Sequence, residues 1–373
     1  MNTIVIIAHH AVSLLNFRGH LIRDLAGAGM RVLCLAPDYD ADTRDALRSL
    51  GAEPVDYSLK RTGMNPVRDA WDLVRLVAVL RHLRPDVVFA FSTKPMVYGT
   101  LAAWLAGVPR RVAMVEGAGY VFTTGQGRPT WRRRALRRLV ESLYRLALGR
   151  AHRVIFLNPD DLEEFVGRRL APADRAVLLG GIGVDLEAWH VVPPVVSPVC
   201  FLLVGRLLRE KGIVEYVAAA RLIRRQYPDV RFVLLGGLDT NPGGLGLDEV
   251  GAWVDEGVVE WPGHVPVQPW IAQASVFVLP SYREGVPLST QEAMAMGRPV
   301  ITTDVPGCRQ TIKDGVNGYR VPARDVDALA KAMRCFIESP ARITSMGLAS
   351  RRIAERDFDV RSINRKLISY LLN

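Results

Sequence analysis

Two glutamates eight residues apart, Glu284 and Glu292, stand in the stretch SYREGVPLSTQEAMAMGRPV at residues 281–300. The apolar run ASVFVLP just before it reads as a buried strand. Pro287 suits a first helical position and Gly297 a helix stop, so the spacing predicts a helix over about residues 287–296. Glu284 then lies in the loop entering that helix. Glu292 lies about one turn inside, on the same face as Leu288. The positive end of the helix favours ionised carboxylates, and an ionised carboxylate accepts hydrogen bonds from two adjacent hydroxyls. A vicinal diol is the natural match. The backbone N–H groups of Gly285, Val286 and Leu288 are available to an anion, while Pro287 contributes none. The plainer alternative, an exposed loop charge and an exposed helix residue, stays open on these grounds.

A second constellation precedes it in FLLVGRLLREKGIVEYVAAA. A buried strand ends at Gly205, Arg206 follows, and Lys211 and Gly212 lead into an amphipathic helix. Gly205 permits a tight turn. Arg206 offers a planar fork, Lys211 a point charge and the helix start a partial positive end, a set that would hold a diphosphate. A merely solvated basic loop is the competing reading. A third loop, EWPGHVPVQPWIAQ, can offer backbone groups to a planar base through Pro262, Gly263 and Pro266.

These loops need strands to hold them. Apolar runs of five to seven residues alternate with helical stretches: TIVIIA, RVLCLAP, DVVFAFS, RRVAMVEG, RVIFLN and AVLLGG, then CFLLVG, VRFVLLGG, GVVEWPG, SVFVLPS, RPVITTD and GYRVP. Strands apolar on both faces, alternating with helices, predict α/β domains built on parallel sheets covered on both sides. The proline-rich VVPPVVSPV near Val191 reads as an extended linker. Two doubly wound domains follow, about residues 1–190 and 198–355, with a last helical stretch over 356–373 expected to pack back on the first. Open parallel sheets bind ligands beyond the carboxyl ends of their strands, so function is expected on the loops there, in a cleft between the two sheets.

Bulk composition narrows the classes. At 373 residues the chain is long enough for two cores. No apolar stretch approaches the ~18–20 residues of a bilayer-crossing helix, and TIVIIA lacks the flanks of a signal peptide. The four cysteines are scattered in apolar segments without metal or redox spacing, which suits reduced core residues in the cytoplasm. The net charge of +10 is uneven: residues 1–190 hold 26 Lys and Arg against 19 Asp and Glu, the remainder 22 against 19. An anionic partner is implied.

The second half resembles the nucleotide-sugar domain of GT-B glycosyltransferases, in particular retaining glycosyltransferase family four. VGRLLREKG is similar to that family's diphosphate-gripping loop, SYREGVPLSTQEAMAMGRPVI to its E-x7-E motif, PGHV to its base-contacting segment and GIGVDLEAW to the element closing its first domain. The resemblance implies two Rossmann-like domains facing a cleft. It implies that Arg206 and Lys211 hold the donor diphosphate, with Gly205 at the turn. Glu284 would accept from sugar hydroxyls and Glu292 from the ribose diol. Gly263 and Val265 would lie at the base, and Gly285, Val286, Pro287 and Leu288 beside diphosphate and sugar. NFRGHLIRDL, STKPMVYGTLAAWLAGVP, VEGAGYVFT and GGLDTNPGGL further resemble bacterial transferases that extend polyprenyl-diphosphate-linked sugars. That closer likeness implies a UDP-sugar donor, an N-acetylhexosamine foremost, and a lipid-diphosphate-linked acceptor, with retention at the anomeric carbon and the leaving phosphate taking the acceptor's proton. It implies a place in protein N-glycan, O-antigen or lipopolysaccharide assembly; a soluble or lipopolysaccharide-core acceptor is the alternative. No metal and no cofactor are expected. The chain departs from the family in AHHAVSLLNF, which has no glycine before Gly19, and in VEGAGY, where Glu116 stands for the family's histidine beside the sugar.

Other first-half features call for weighing. GRPTWRRRALRRLVESLYRLALGRAHR, residues 127–153, holds nine arginines and one acid, with Trp131, Leu136, Leu139, Val140, Leu143 and Leu146 on an apolar face. Arg132, Arg133 and Arg134 suit an anionic membrane surface on the inner face of the cell membrane; an ordinary amphipathic helix is the alternative. No recognition motif accompanies the helix, so nucleic acid is not an expected partner. Arg18 and Lys94 follow predicted strands and are candidates for the acceptor's diphosphate, with structural ion pairs the competing reading. Asp38, Asp40 and Asp42 superficially form a D-x-D metal motif, but their place before a helix reads as capping. His9 and His10 lack a carboxylate at ligand spacing.

Overall fold

A computed structural model describes residues 2–59, 66–117, 131–241 and 243–373; within the helices the side chains of Pro66, Trp131, Arg132, Arg133 and Leu136 lie outside it. The chain divides into two compact units, Met1–Ile182 with Arg361–Asn373, and Gly183–Val360. Each is a parallel sheet with helices between successive strands.

In the first unit the strands are β1 (Thr3–Ile7), β2 (Arg31–Ala36), β3 (Ala52–Asp56), β4 (Val87–Phe91), β5 (Arg110–Val115), β6 (Arg153–Phe156) and β7 (Ala176–Leu178), in the order β3-β2-β1-β4-β5-β6-β7. In the second they are β8 (Cys200–Val204), β9 (Arg231–Leu235), β10 (Glu260–Gly263), β11 (Val276–Leu279), β12 (Val300–Thr303) and β13 (Gly318–Val321), in the order β10-β9-β8-β11-β12-β13. Inner strands such as β1, β4 and β8 are apolar and almost wholly buried, because helices cover both faces. Strand order reverses between β1 and β4 and again between β8 and β11, so each unit has a topological switch point where two neighbouring loops diverge and leave a crevice.

Two expectations need correction. The edge strand β3, AEPVD, is absent from the apolar runs of the sequence. An edge strand needs neither two apolar faces nor every ladder donor, so Pro54 is tolerated beside Cys34. The boundary expected near residue 190 lies instead at Ile182. The proline-rich segment is not a free linker, because the second unit holds its carbonyls: Arg298 donates to Val192 O and Ser275 to Val195 O. The final helix, Val360–Leu372, is bound into the first unit through Asn364 to Asp24 and Arg110 to the carbonyls of Tyr370 and Leu371.

Candidate functional site

The second unit's switch point carries the chemistry. After β8 the chain makes a short 3-10 turn, Arg209–Lys211, and enters the helix Ile213–Arg224 through Gly212 at φ 71°. A Cβ there would collide with the carbonyl of Pro280, just after β11. Only glycine permits this approach. It is fixed by Tyr282 N donating to Glu210 O at 2.9 Å. The two loops flanking the switch point are thus laid backbone to backbone, and Lys211 Nζ comes 2.5 Å from Glu284 Oε1.

The loop after β12 completes the arrangement. Glu284 N donates to Pro306 O at 3.0 Å, and Gly307, at φ 81°, sits where any Cβ would strike the Glu284 carbonyl. Thr303 donates to the Ser281 carbonyl, and Ser281 Oγ donates to Glu284 Oε1 at 2.7 Å. Both partners of Glu284 reach the same oxygen; Oε2 has none among the described residues. One of the three ammonium donors of Lys211 is used, which leaves two for an anion. Arg206 is half exposed and pairs at 2.7 Å with the buried Asp239.

The helix after Glu284 runs Leu288–Ala295 with Pro287 as its N-cap. Val286 and Pro287 are buried, so the turn can offer a ligand backbone rather than side chains. Gln291 is buried and ties the turn to the start of the unit, accepting from Gly183 N and donating to Val286 O. Glu292 is half-buried, its carboxyl has no hydrogen-bond partner among the described residues, and desolvation pushes that carboxyl up to about 7. Burial thus works against the ionised form expected of Glu292 until something donates to its carboxylate. Gly263 ends β10 and Val265 follows it at the same carboxyl edge of the sheet, two strands from β8. Asp239, Ser281, Thr303 and Gly307 were not foreseen. Asp239 stands in the quoted GGLDTNPGGL run, but nothing in the spacing pairs it with Arg206.

In the first unit the structure corrects one assignment, Arg18, and finds an ion-pair partner for another, Lys94. Arg18 is 2% exposed. Its Nη2 meets Glu116 Oε1 at 2.5 Å and Met114 Sδ at 2.9 Å, and its guanidinium lies 4.7 Å from the Phe91 ring centre. It cannot reach an acceptor's diphosphate and serves to hold Glu116. Lys94 Nζ pairs with Asp69, at 3.0 and 3.2 Å from its two oxygens, which leaves one ammonium donor. Glu116 itself follows β5, a quarter exposed, and also accepts from Ser92 at 3.1 Å. Asp40 caps the helix Ala41–Ser49 in a capping box with Thr43, as the sequence implied. Asp38 instead lies 2.9 Å from His10 Nδ1 and accepts from Ala11 N at 2.7 Å, at the start of the helix Ala11–Gly27. His9, His10 and Asp38 line a cavity of about 500 Å³ with Tyr57, Ser58 and Arg68. Arg134 is exposed; Arg132 and Arg133 fall outside the described side chains, as do residues 118–123 of VEGAGYVFT.

Comparison with known proteins decides the family. Residues 198–339 match the family model described as glycosyl transferases group 1, and residues 17–181 match the glycosyl transferase 4-like domain. The chain belongs to the group 1 glycosyltransferases, and it is an enzyme of hexosyl transfer. It is 27% identical over 347 residues to the N,N'-diacetylbacillosaminyl-diphospho-undecaprenol alpha-1,3-N-acetylgalactosaminyltransferase of Campylobacter jejuni, covering 89% of this chain and 88% of that one. Its fold is that of sucrose-phosphate synthase from Thermosynechococcus elongatus, with TM-score 0.80 at 20% identity, covering 99% of this chain and 98% of that one. Anabaena HepE in complex with UDP and glucose shares it too, with TM-score 0.78 at 16% identity, covering 100% and 99%. These neighbours are GT-B glycosyltransferases, and the two doubly wound units are that fold.

Proposed function

We propose that this glycosyltransferase moves a sugar, an N-acetylhexosamine foremost, from a UDP-sugar to a lipid-diphosphate-linked saccharide, with retention at the anomeric carbon. The observation that carries the reading is the Lys211–Glu284 pair across the switch point, with Arg206 beside it and Glu292 one helix turn on. Arg206 and the two unused Lys211 donors stabilise charge growing on the departing diphosphate. Glu284 Oε2 accepts from a sugar hydroxyl. Glu292 accepts from the ribose diol, which also draws it into its ionised form. The turn of Gly205, Gly285 and Leu288 lends backbone to the phosphates, and Gly263 and Val265 flank the base. The cations do the work at the diphosphate, so no metal is assigned to the step.

Two likenesses support donor and acceptor: the Campylobacter relative is named for an undecaprenol-diphosphate-linked acceptor, and HepE was solved with UDP. We assign the acceptor to the first unit, where Arg18 and Ser92 position Glu116. We assign peripheral contact with the inner face of the cell membrane to the basic helix Trp131–Leu148; among the described residues no helix is long and apolar enough to cross a membrane. The test is transfer from a panel of UDP-sugars to a polyprenyl-diphosphate-linked saccharide, with the anomeric configuration of the product read by NMR. A lipid-linked α-glycoside from an α-configured donor is expected. Inversion, or transfer to soluble glycans alone, would overturn the reading.

A further inference from the structure

The helix Pro66–Leu83 is inverted in its first half. Its two acids, Asp69 and Asp72, are 6% and 4% exposed, while Val67, Trp71 and Val74 are 82%, 58% and 60% exposed. The inward aspartates are bound by Lys94, Tyr98 and Ser58. The outward residues fall at i, i+4 and i+7, so they form one stripe. Burying carboxylates costs desolvation, and an exposed indole gains nothing from water. Folding alone gives no reason for this arrangement.

Charge decides what the stripe fits. With both acids turned inward, the exposed face of the helix carries only apolar and basic groups: Arg75 flanks the stripe, Arg81 and His82 follow, and Arg68 at its edge lies 4.0 Å from Asp72. The Arg75 guanidinium lies 5.3 Å from the Trp71 ring centre, so an anion-binding group and an amphipathic ring stand together. The neighbouring helix Thr93–Leu105 packs against this one. It has no acid, exposes Trp104 and Leu105, and sets Trp104 under Arg150 at 4.3 Å. Tryptophan at head-group depth with arginine on the phosphates is the signature of an anionic bilayer surface. A second copy of the chain docked by the same face would set Arg75 near its own equivalent, a like-charge contact.

We propose that the Val67, Trp71 and Val74 stripe is a membrane-docking surface, which inserts its apolar residues at the head-group boundary of an anionic bilayer with Arg75 on lipid phosphates. The surface is distinct from the basic helix Trp131–Leu148. It deepens the lipid-linked reading and rests on it for its purpose, but vesicle binding needs no acceptor or donor, so the two fail separately.

The test is co-sedimentation of the full chain with phosphatidylglycerol–phosphatidylcholine vesicles and with phosphatidylcholine alone. The wild type is expected to pellet with the anionic vesicles. Trp71→Ser with Val74→Ser should lower the partition coefficient about tenfold or more, and Arg75→Glu should lower it by a similar factor at low salt. Val67→Ser, the mildest change, should give a smaller loss with an unaltered melting curve. UDP affinity should be unchanged in all three. The proposal is overturned if the wild type stays in the supernatant, or if the Trp71, Val74 variant pellets as the wild type does. It is also overturned if the stripe proves to hold a dimer or an acidic protein that these substitutions release while vesicle binding persists.

Discussion

The carboxyl edges of the two sheets use the same residue types in opposite ways. In the second unit Arg206, Lys211 and Glu284 sit on loops that glycines hold together, and each keeps donor or acceptor capacity in reserve. In the first unit Arg18 is sunk beneath Glu116, and Lys94 bridges both oxygens of Asp69. The first arrangement suits binding a charged, hydroxyl-rich ligand. The second suits presenting one carboxylate, Glu116, in a fixed orientation. A cation after a strand is therefore no guide to ligand contact until its partner and burial are known.

The largest effect that separates the regions should be on turnover. Arg206→Ala or Lys211→Ala should lower kcat by about 10²–10³-fold, the usual loss when a group aimed at developing charge is removed, with little change in the melting temperature. Near-wild-type kcat in Arg206→Ala would count heavily against the diphosphate role. Arg18→Met should show the opposite balance, a loss of about 3 kcal/mol in urea unfolding because a buried pair is broken. If Arg18→Met is as stable as the wild type, the burial argument fails.

A smaller effect concerns Glu292. Its folded value, about 7, lies above the ordinary 4.5, so the folded form holds its proton more tightly than the unfolded chain. That contribution to stability is fully present below about 4.5 and is lost as pH rises to about 7. Glu292→Gln should therefore raise stability at pH 8 by roughly 1–3 kcal/mol and leave it nearly unchanged at pH 4, while weakening nucleotide binding. Equal melting shifts at both pH values would contradict the desolvation account. The smallest effect belongs to Arg134→Glu on the exposed helix face, which should change stability by less than about 0.5 kcal/mol.

What could be read from the sequence followed from locality. Glu284 and Glu292 share one strand-loop-helix unit, and Gly205, Arg206 and Lys211 share another, so local spacing placed them on the right elements. The parallel alternation was legible because inner strands must be apolar on both faces. The Lys211–Glu284 pair was not, since it depends on contact between residues 73 apart made possible by Gly212. The Arg206–Asp239 and Arg18–Glu116 pairs were hidden for the same reason. Strand β3 escaped because an edge strand has no doubly apolar pattern. The desolvation of Glu292 depends on what packs around the helix start, which spacing does not report.

The central claim is that the loops at the β8–β11 switch point receive a nucleoside diphosphate through Arg206 and Lys211. Isothermal titration of UDP and UMP into the wild type and Arg206→Ala tests it most directly, because the two ligands differ only in the second phosphate. The wild type should prefer UDP by about tenfold or more, and Arg206→Ala should lose most of that preference while still binding UMP. Equal affinity of the wild type for UDP and UMP, or an undiminished preference in Arg206→Ala, would contradict the account.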